Sequence, residues 1–503
     1  MAAGPIRPST LAALFIAAAV GTGLATGPQL RDPEVQLQLG DLLLRDGRPE
    51  DAVVAYRQAR EEAGGEDRLR AGRGLVRALL RTAEFRHGRD EAEALVTGAP
   101  TDAESRALYG DALWAAGLFD EAEGQYREAV AIDPRQAGAY NGLAKAAAAR
   151  SRLTDALDAA TTAVSLAPKD SGCHHTLGFV NERLRRYEAA AAAFSTFVDL
   201  LPAGDRSERA LWARQQIRFL QSFGDREPLA MRPEVRETIH TVPFQVIRDK
   251  VVVRGILNSV HAVDLVVDTG AELTALTLRT AQRFGIAPIV YTLSAGVGHI
   301  GMRGLQVGRI DRLQIGSMRV ENVPTLIKNP PLRGLPTREA DSFSPLALGL
   351  SVSIDYARRQ LVMARSLPPS AGDVVLPLRV HRLALVRGLV NNASPVHFVV
   401  DTGGEVISIS RATFDAMKTE PSRRIPLRVY GASGWDPDAF LMPGLDLAFD
   451  RVLLRRHAVV VLNLDAPSAL LGFELGGIVG HRFLSKYRVA IDLDRSELRL
   501  GSL

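Results

Sequence analysis

The stretch VDLVVDTGAELTALT, residues 263–277, decides how the second half of the chain is read, because an acid, a hydroxyl and a glycine close an apolar run of strand composition. A single Asp-Thr-Gly is ordinary turn chemistry, since Asp and Gly are both favoured where a chain reverses. A second copy changes the reading. VHFVVDTGGEVISIS, residues 396–410, places Asp401 at an offset of 133 from Asp268. The same offset relates VRGILN (253–258) to VRGLVN (386–391), Gly298 to Gly431 and Gly301 to Gly434.

Around these copies the chain consists of short Val-, Ile- and Leu-rich runs punctuated by Gly, Pro, Asn and Asp, which is an all-β pattern. It begins after FGDREPLAMRPEV (223–235), a domain boundary. SIDYARRQLVM (353–363) and AIDLDRSELRL (490–500) also match, but Asp355 and Asp492 differ by 137, so the second copy is longer there. The carboxy-terminal half is therefore expected to be a tandem duplication, with lobes at 238–366 and 374–503 joined by LPPSAG (367–372).

The amino-terminal half follows a different rule. Gly110, Ala144 and Gly178 stand 34 apart, as do Ala122, Ala156 and Ala190, then Tyr126, Ala160 and Phe194, then Pro134, Pro168 and Pro202. Gly40, Ala52, Tyr56 and Ala59 form an earlier unit two residues out of phase, with a degenerate stretch between it and Thr101. Small residues let two antiparallel helices approach, the aromatic fills the gap, and proline stops the second helix. Helical repeats with the capping helix ERALWARQQIRFLQSF (208–223) thus span 33–225. Such units contact mainly their neighbours, so the array is expected to be separable from the β half.

Composition sets the outer limits. A chain of 503 residues exceeds one hydrophobic core. With 46% apolar and 23% charged residues it is globular. Lys plus Arg (61) barely exceed Asp plus Glu (57), and the resulting +4, spread along the chain, gives no support to nucleic acid as a partner. Cys173, His174 and His175 are consecutive and cannot converge on one ion, so neither metal nor cofactor is expected. Residues 1–29 carry one arginine, an apolar stretch and then small residues. They are expected to be a signal peptide or a membrane anchor, which makes the protein exported, periplasmic or extracellular, with membrane contact only through that segment.

On these residues the first half resembles the tetratricopeptide repeat family, and the second resembles the retropepsin-like aspartic peptidases of bacteria. The fold class implied is multidomain: an α-helical tetratricopeptide solenoid followed by an all-β retropepsin-like double lobe, a pepsin-like pseudo-dimer paired within one chain. The resemblance implies Asp268 and Asp401 as catalytic, with Thr269, Gly270, Thr402 and Gly403 supporting the active loops. It also implies flaps over the substrate at Gly296, Gly298, Gly301, Gly431, Gly434 and Trp435. An apolar-apolar-Gly element should support each loop. GIVGHRFL supplies it around Gly480, while the first copy offers LALGLSVSID around Gly349, six residues shorter, so support for Asp268 is expected to be weaker. GVGHIG (296–301) also fits a dinucleotide-binding loop, but strand periodicity follows it where that loop needs a helix. Two functions remain open: an aspartic endopeptidase whose repeats recruit substrate or a partner protein, or an inactive peptide-binding scaffold of the same shape.

Overall fold

The computed structural model describes residues 32–202, 205, 207–259, 261–298, 301–328, 340–370, 372–393, 395–417, 424–431 and 433–503. The expected signal or anchor at 1–29 lies outside these residues. Among those described, no helix is long and apolar enough to cross a membrane.

Eleven helices build the described part of the repeat half: α1 (Pro33–Arg45), α2 (Pro49–Glu62), α3 (Gly65–Arg81), α4 (Phe85–Gly98), α5 (Ala103–Ala115), α6 (Phe119–Ile132), α7 (Ala137–Ala149), α8 (Leu153–Leu166), α9 (Ser171–Arg183), α10 (Tyr187–Asp199) and the cap α11 (Glu208–Gln221). The degenerate stretch is a full helix pair, α3 and α4. Tyr56 of α2 shows why. Its ring lies between Gly40 and Gly74, 34 apart, and a methyl group on Gly40 would stand 2.7 Å from it. Gly74 to Gly110 is 36, which places the two-residue phase shift between them. Tyr126 of α6 repeats the arrangement, and the two tyrosine hydroxyls donate to Asp41 and Asp111, each at the same spacing before its tyrosine.

The second half contains two lobes with one strand order. In the first, strands Lys250–Leu257, His261–Val267, Ser342–Phe343, Thr274–Leu276, Met318–Ile327 and Met302–Ile315 are neighbours in that sequence. In the second, the same places fall to Leu383–Val390, Val396–Val400, Gly477–Val479, Ser408–Ser410, Val452–Leu462 and Phe440–Phe449. The lobes join through a shared sheet in which Ser351–Asp355 and Arg488–Asp492 run antiparallel, with Ser353 opposite Ala490. Their apolar interiors are one cluster that includes Val267, Phe343, Val400 and Val479.

The array lies against the lobes. Trp114 and Phe119 form a common core with Leu385, Val399 and Phe473 of the second lobe. Phe219 and Phe223 pack on Val290 and Val307 of the first. Arg379 reaches Asp120 at 3.0 Å, and Arg86 reaches Glu474 at 2.9 Å. The neighbour-only logic of repeats does not describe these helices, which cover apolar lobe surface as well as one another.

Candidate active site

Each aspartate stands where an inner strand ends. Asp268 follows His261–Val267 and donates its backbone N–H to Phe343 O at 2.9 Å, while Asp401 follows Val396–Val400 and donates to Val479 O at 3.0 Å. The next residues lock the lobes together. Thr269 Oγ1 donates to Val400 O and Thr402 Oγ1 to Val267 O, both at 2.7 Å, and each threonine hydroxyl accepts the other's backbone N–H at 3.1 Å. Both threonines are buried, so these four bonds have no competition from water. Gly270 and Gly403 let each loop pass close to the opposite acid: a methyl group at Gly270 would lie 2.6 Å from Asp401 Oδ1, and one at Gly403 would lie 2.6 Å from Asp268 Cγ.

The two carboxyls consequently face each other, half-buried, and each accepts a loop N–H, Gly270 to Asp268 Oδ1 at 3.1 Å and Gly404 to Asp401 Oδ1 at 2.8 Å. Burial first, and then the charge of Asp401, push the Asp268 carboxyl up to about 7. Burial also raises Asp401, against the N–H groups of Gly404 and Gly403 and the charge of Lys250. Like charges facing each other cannot both ionise readily, which favours a single proton on the pair. Lys250 was not legible as a site residue. It starts an inner strand of the first lobe and donates its ammonium to Gly403 O of the second. The duplication's offset carries Lys250 onto Leu383, so this cation breaks the twofold symmetry and favours charge on Asp401. Lys328 opposes the rise at Asp268.

The loop supports correct one expectation. The counterpart of Val479-Gly480 is Phe343-Ser344, not the region of Gly349, which caps a short turn with φ +69°. Ser344 and Asp355 differ by 11 in number, Gly480 and Asp492 by 12, so the first lobe is shortened by one position and not six. In the second lobe His481 N–H donates to Gly404 O at 2.9 Å. The first lobe has Pro345 at that place, without an N–H, and the Ser344 hydroxyl donates instead to Ala271 O at 2.7 Å. The same carbonyl is satisfied by different means, and a search for glycine passes over it.

Gly296, Gly298 and Gly301 of GVGHIG lie between the paired strands Pro288–Ala295 and Met302–Ile315, so a strand follows them and not a helix. A smaller hairpin, Val429–Gly431 with Gly434–Asp436, meets it: Ser433 N–H donates to Val297 O and Ser433 Oγ accepts from Gly296 N–H, both at 3.0 Å. Gly296, Gly431 and Gly434 line the cleft. Gly298 and Gly301 stand in the turn with φ +138° and +69°. Trp435 pairs with Tyr430 across its hairpin, and Tyr430 is the ring that lines the cleft. Cys173 is buried, His174 bonds Pro168 O at 2.9 Å, and His175 stacks among Phe194, Phe197 and Trp212, so the three diverge. Among the described residues no three His, Cys, Asp or Glu side chains are grouped to hold a metal.

The aspartyl protease family model matches residues 250–352, and the tetratricopeptide repeat family model matches 73–137 and 108–171. The chain is a tetratricopeptide-repeat array fused to an aspartyl protease-like domain, with the family match falling on the first lobe. Similar solved structures include a tetratricopeptide-repeat protein of Thermus thermophilus, 17% identical over 38% of this chain and 99% of that one, with a TM-score of 0.33. MamA of Desulfovibrio magneticus is 23% identical over 36% and 99%, with a TM-score of 0.25. PilF of Pseudomonas aeruginosa is 18% identical over 39% and 85%, with a TM-score of 0.28. No curated relative matches the chain.

Proposed function

We propose that the protein is an exported aspartic endopeptidase in which Asp268 and Asp401 activate one water for attack on a peptide carbonyl. The observation that carries this reading is the facing pair of carboxyls, held by the reciprocal threonine bonds and biased toward one shared proton. Asp401, beside Lys250, takes the water's proton as base. Asp268, whose ionisation is disfavoured by burial, keeps its proton for the carbonyl oxygen as acid. The roles then reverse as the amine leaves. The Ser344 support leaves the first loop as firmly tied as the second, which favours an enzyme over an inactive scaffold. The test is incubation of the purified full chain with a mixed peptide library, with and without Asp268→Asn. Internal cleavage that disappears in the variant is expected, and an unchanged library in both samples would move the reading to the scaffold.

A further inference from the structure

The cleft between the dyad and the flaps is part of one open groove of about 3270 Å³ whose opposite wall is the array's inner face, with Trp114, Asn141, Phe179 and Trp212 contributed by α5, α7, α9 and α11. Asp268, Asp401, Gly296 and Gly431 line the same space. Pockets that take one small molecule measure about 300–1,000 Å³, so this volume suits a length of chain.

The array is held over that space from several sides. Arg183 Nη1 donates to Val380 O at 3.0 Å, Arg185 Nη2 donates to Leu348 O at 2.6 Å, and α11 packs on the base of the larger flap. Those ties, with the interlocked flap tips, hold the array and the dyad on two sides of one groove. The chemistry of the wall points the same way. Its rings, Trp114, Phe179 and Trp212, stand among charges of both signs, some of them paired, Lys145 with Asp111 at 3.2 Å and Arg382 with Glu272 at 2.8 Å, a mixed lining that suits the varied side chains of an extended polypeptide.

We propose that the inner face of the repeat array is an extended subsite of the peptidase cleft, which holds the flanking segment of the same unfolded polypeptide whose bond lies at the dyad. This deepens the peptidase reading and rests on it. The array then acts as part of the substrate channel and not as a platform for a separate folded partner.

Binding tests this apart from turnover. In full-length Asp268→Asn, anisotropy is measured with labelled reduced and carboxymethylated α-lactalbumin, with eight-residue fragments of it, and with the native folded protein. The unfolded chain is expected to bind at least about tenfold more tightly than any fragment, because its flank is held at high effective concentration. The folded protein should not bind. Asn141→Trp, which fills the wall, and Gly138→Phe, whose Cβ would meet nothing nearer than 3.6 Å, should each bring the unfolded chain to fragment affinity with helix content unchanged. Equal affinity for chain and fragments, binding of the folded protein, or indifference to both variants overturns the subsite. Loss of fragment cleavage in the unsubstituted protein, with these binding differences intact, overturns the peptidase reading alone.

Discussion

Burial raises both dyad carboxyls and the charge of Asp401 carries Asp268 up to about 7, so the folded protein holds a proton that the unfolded chain releases between pH 3.8 and about 7. Stability must therefore fall as pH rises through that window, since the unfolded state binds fewer protons there. Asp268→Asn removes this loss. The variant is expected to melt above the unsubstituted protein near neutral pH, by about 1 °C per kcal/mol relieved in a chain of this length, and level with it in acid. Equal melting at both pH values would mean that the pair carries no such cost. Lys250 acts in the opposite sense, by favouring charge on Asp401. Lys250→Met should move the acid limb of the pH–rate profile up by about one unit, and Lys250→Arg should restore it. An acid limb unmoved by Lys250→Met leaves the lysine with a structural part only. The aspartates were legible because duplication marked them twice. Lys250 was not, because a symmetry-breaking residue has no second copy to point to it.

The supporting loops show how a motif survives the loss of its signature residue. Ser344 replaces glycine, Pro345 removes an N–H, and the serine hydroxyl makes up the missing bond to Ala271 O. Ser344→Ala strands that carbonyl at a cost of about 1–3 kcal/mol. It should lower kcat more than KM, because the active loop loosens while the substrate channel stays intact. Steady-state rates on one unfolded substrate check this, and a kcat equal to that of the unsubstituted protein would show that the first loop needs no such tie. Sequence spacing put this element at Gly349, since glycine was the only marker to follow. Strand pairing identifies the true counterpart, and pairing is a property of the sheet that no local pattern contains. The helix pair α3 and α4 was obscured for a related reason: Gly74 serves the preceding repeat's Tyr56, so its role appears only when two units stack.

For the whole molecule, the strand and helix classes and the order of domains followed from period and punctuation, whereas the contact between the halves did not. Phe119 reads as an ordinary repeat residue, yet it packs against His397 and Phe473 of the second lobe with ring centroids 4.7 and 5.2 Å away. Phe119→Ala should destabilise the second lobe as well as the array, by about 3–5 kcal/mol, read as a common shift of helix and sheet signals in urea unfolding. Separate transitions, with the sheet signal unmoved, would restore the picture of independent halves. The central claim is that two facing aspartates share one proton and hydrolyse a peptide bond between them. Its most direct measurement is the rate of cleavage of reduced, carboxymethylated α-lactalbumin by the full chain from about pH 3 to about pH 8, beside Asp268→Asn and Asp401→Asn. A bell-shaped profile that vanishes in both variants is the predicted result. Undiminished cleavage in either variant, or no cleavage by the unsubstituted protein at any pH, would contradict it.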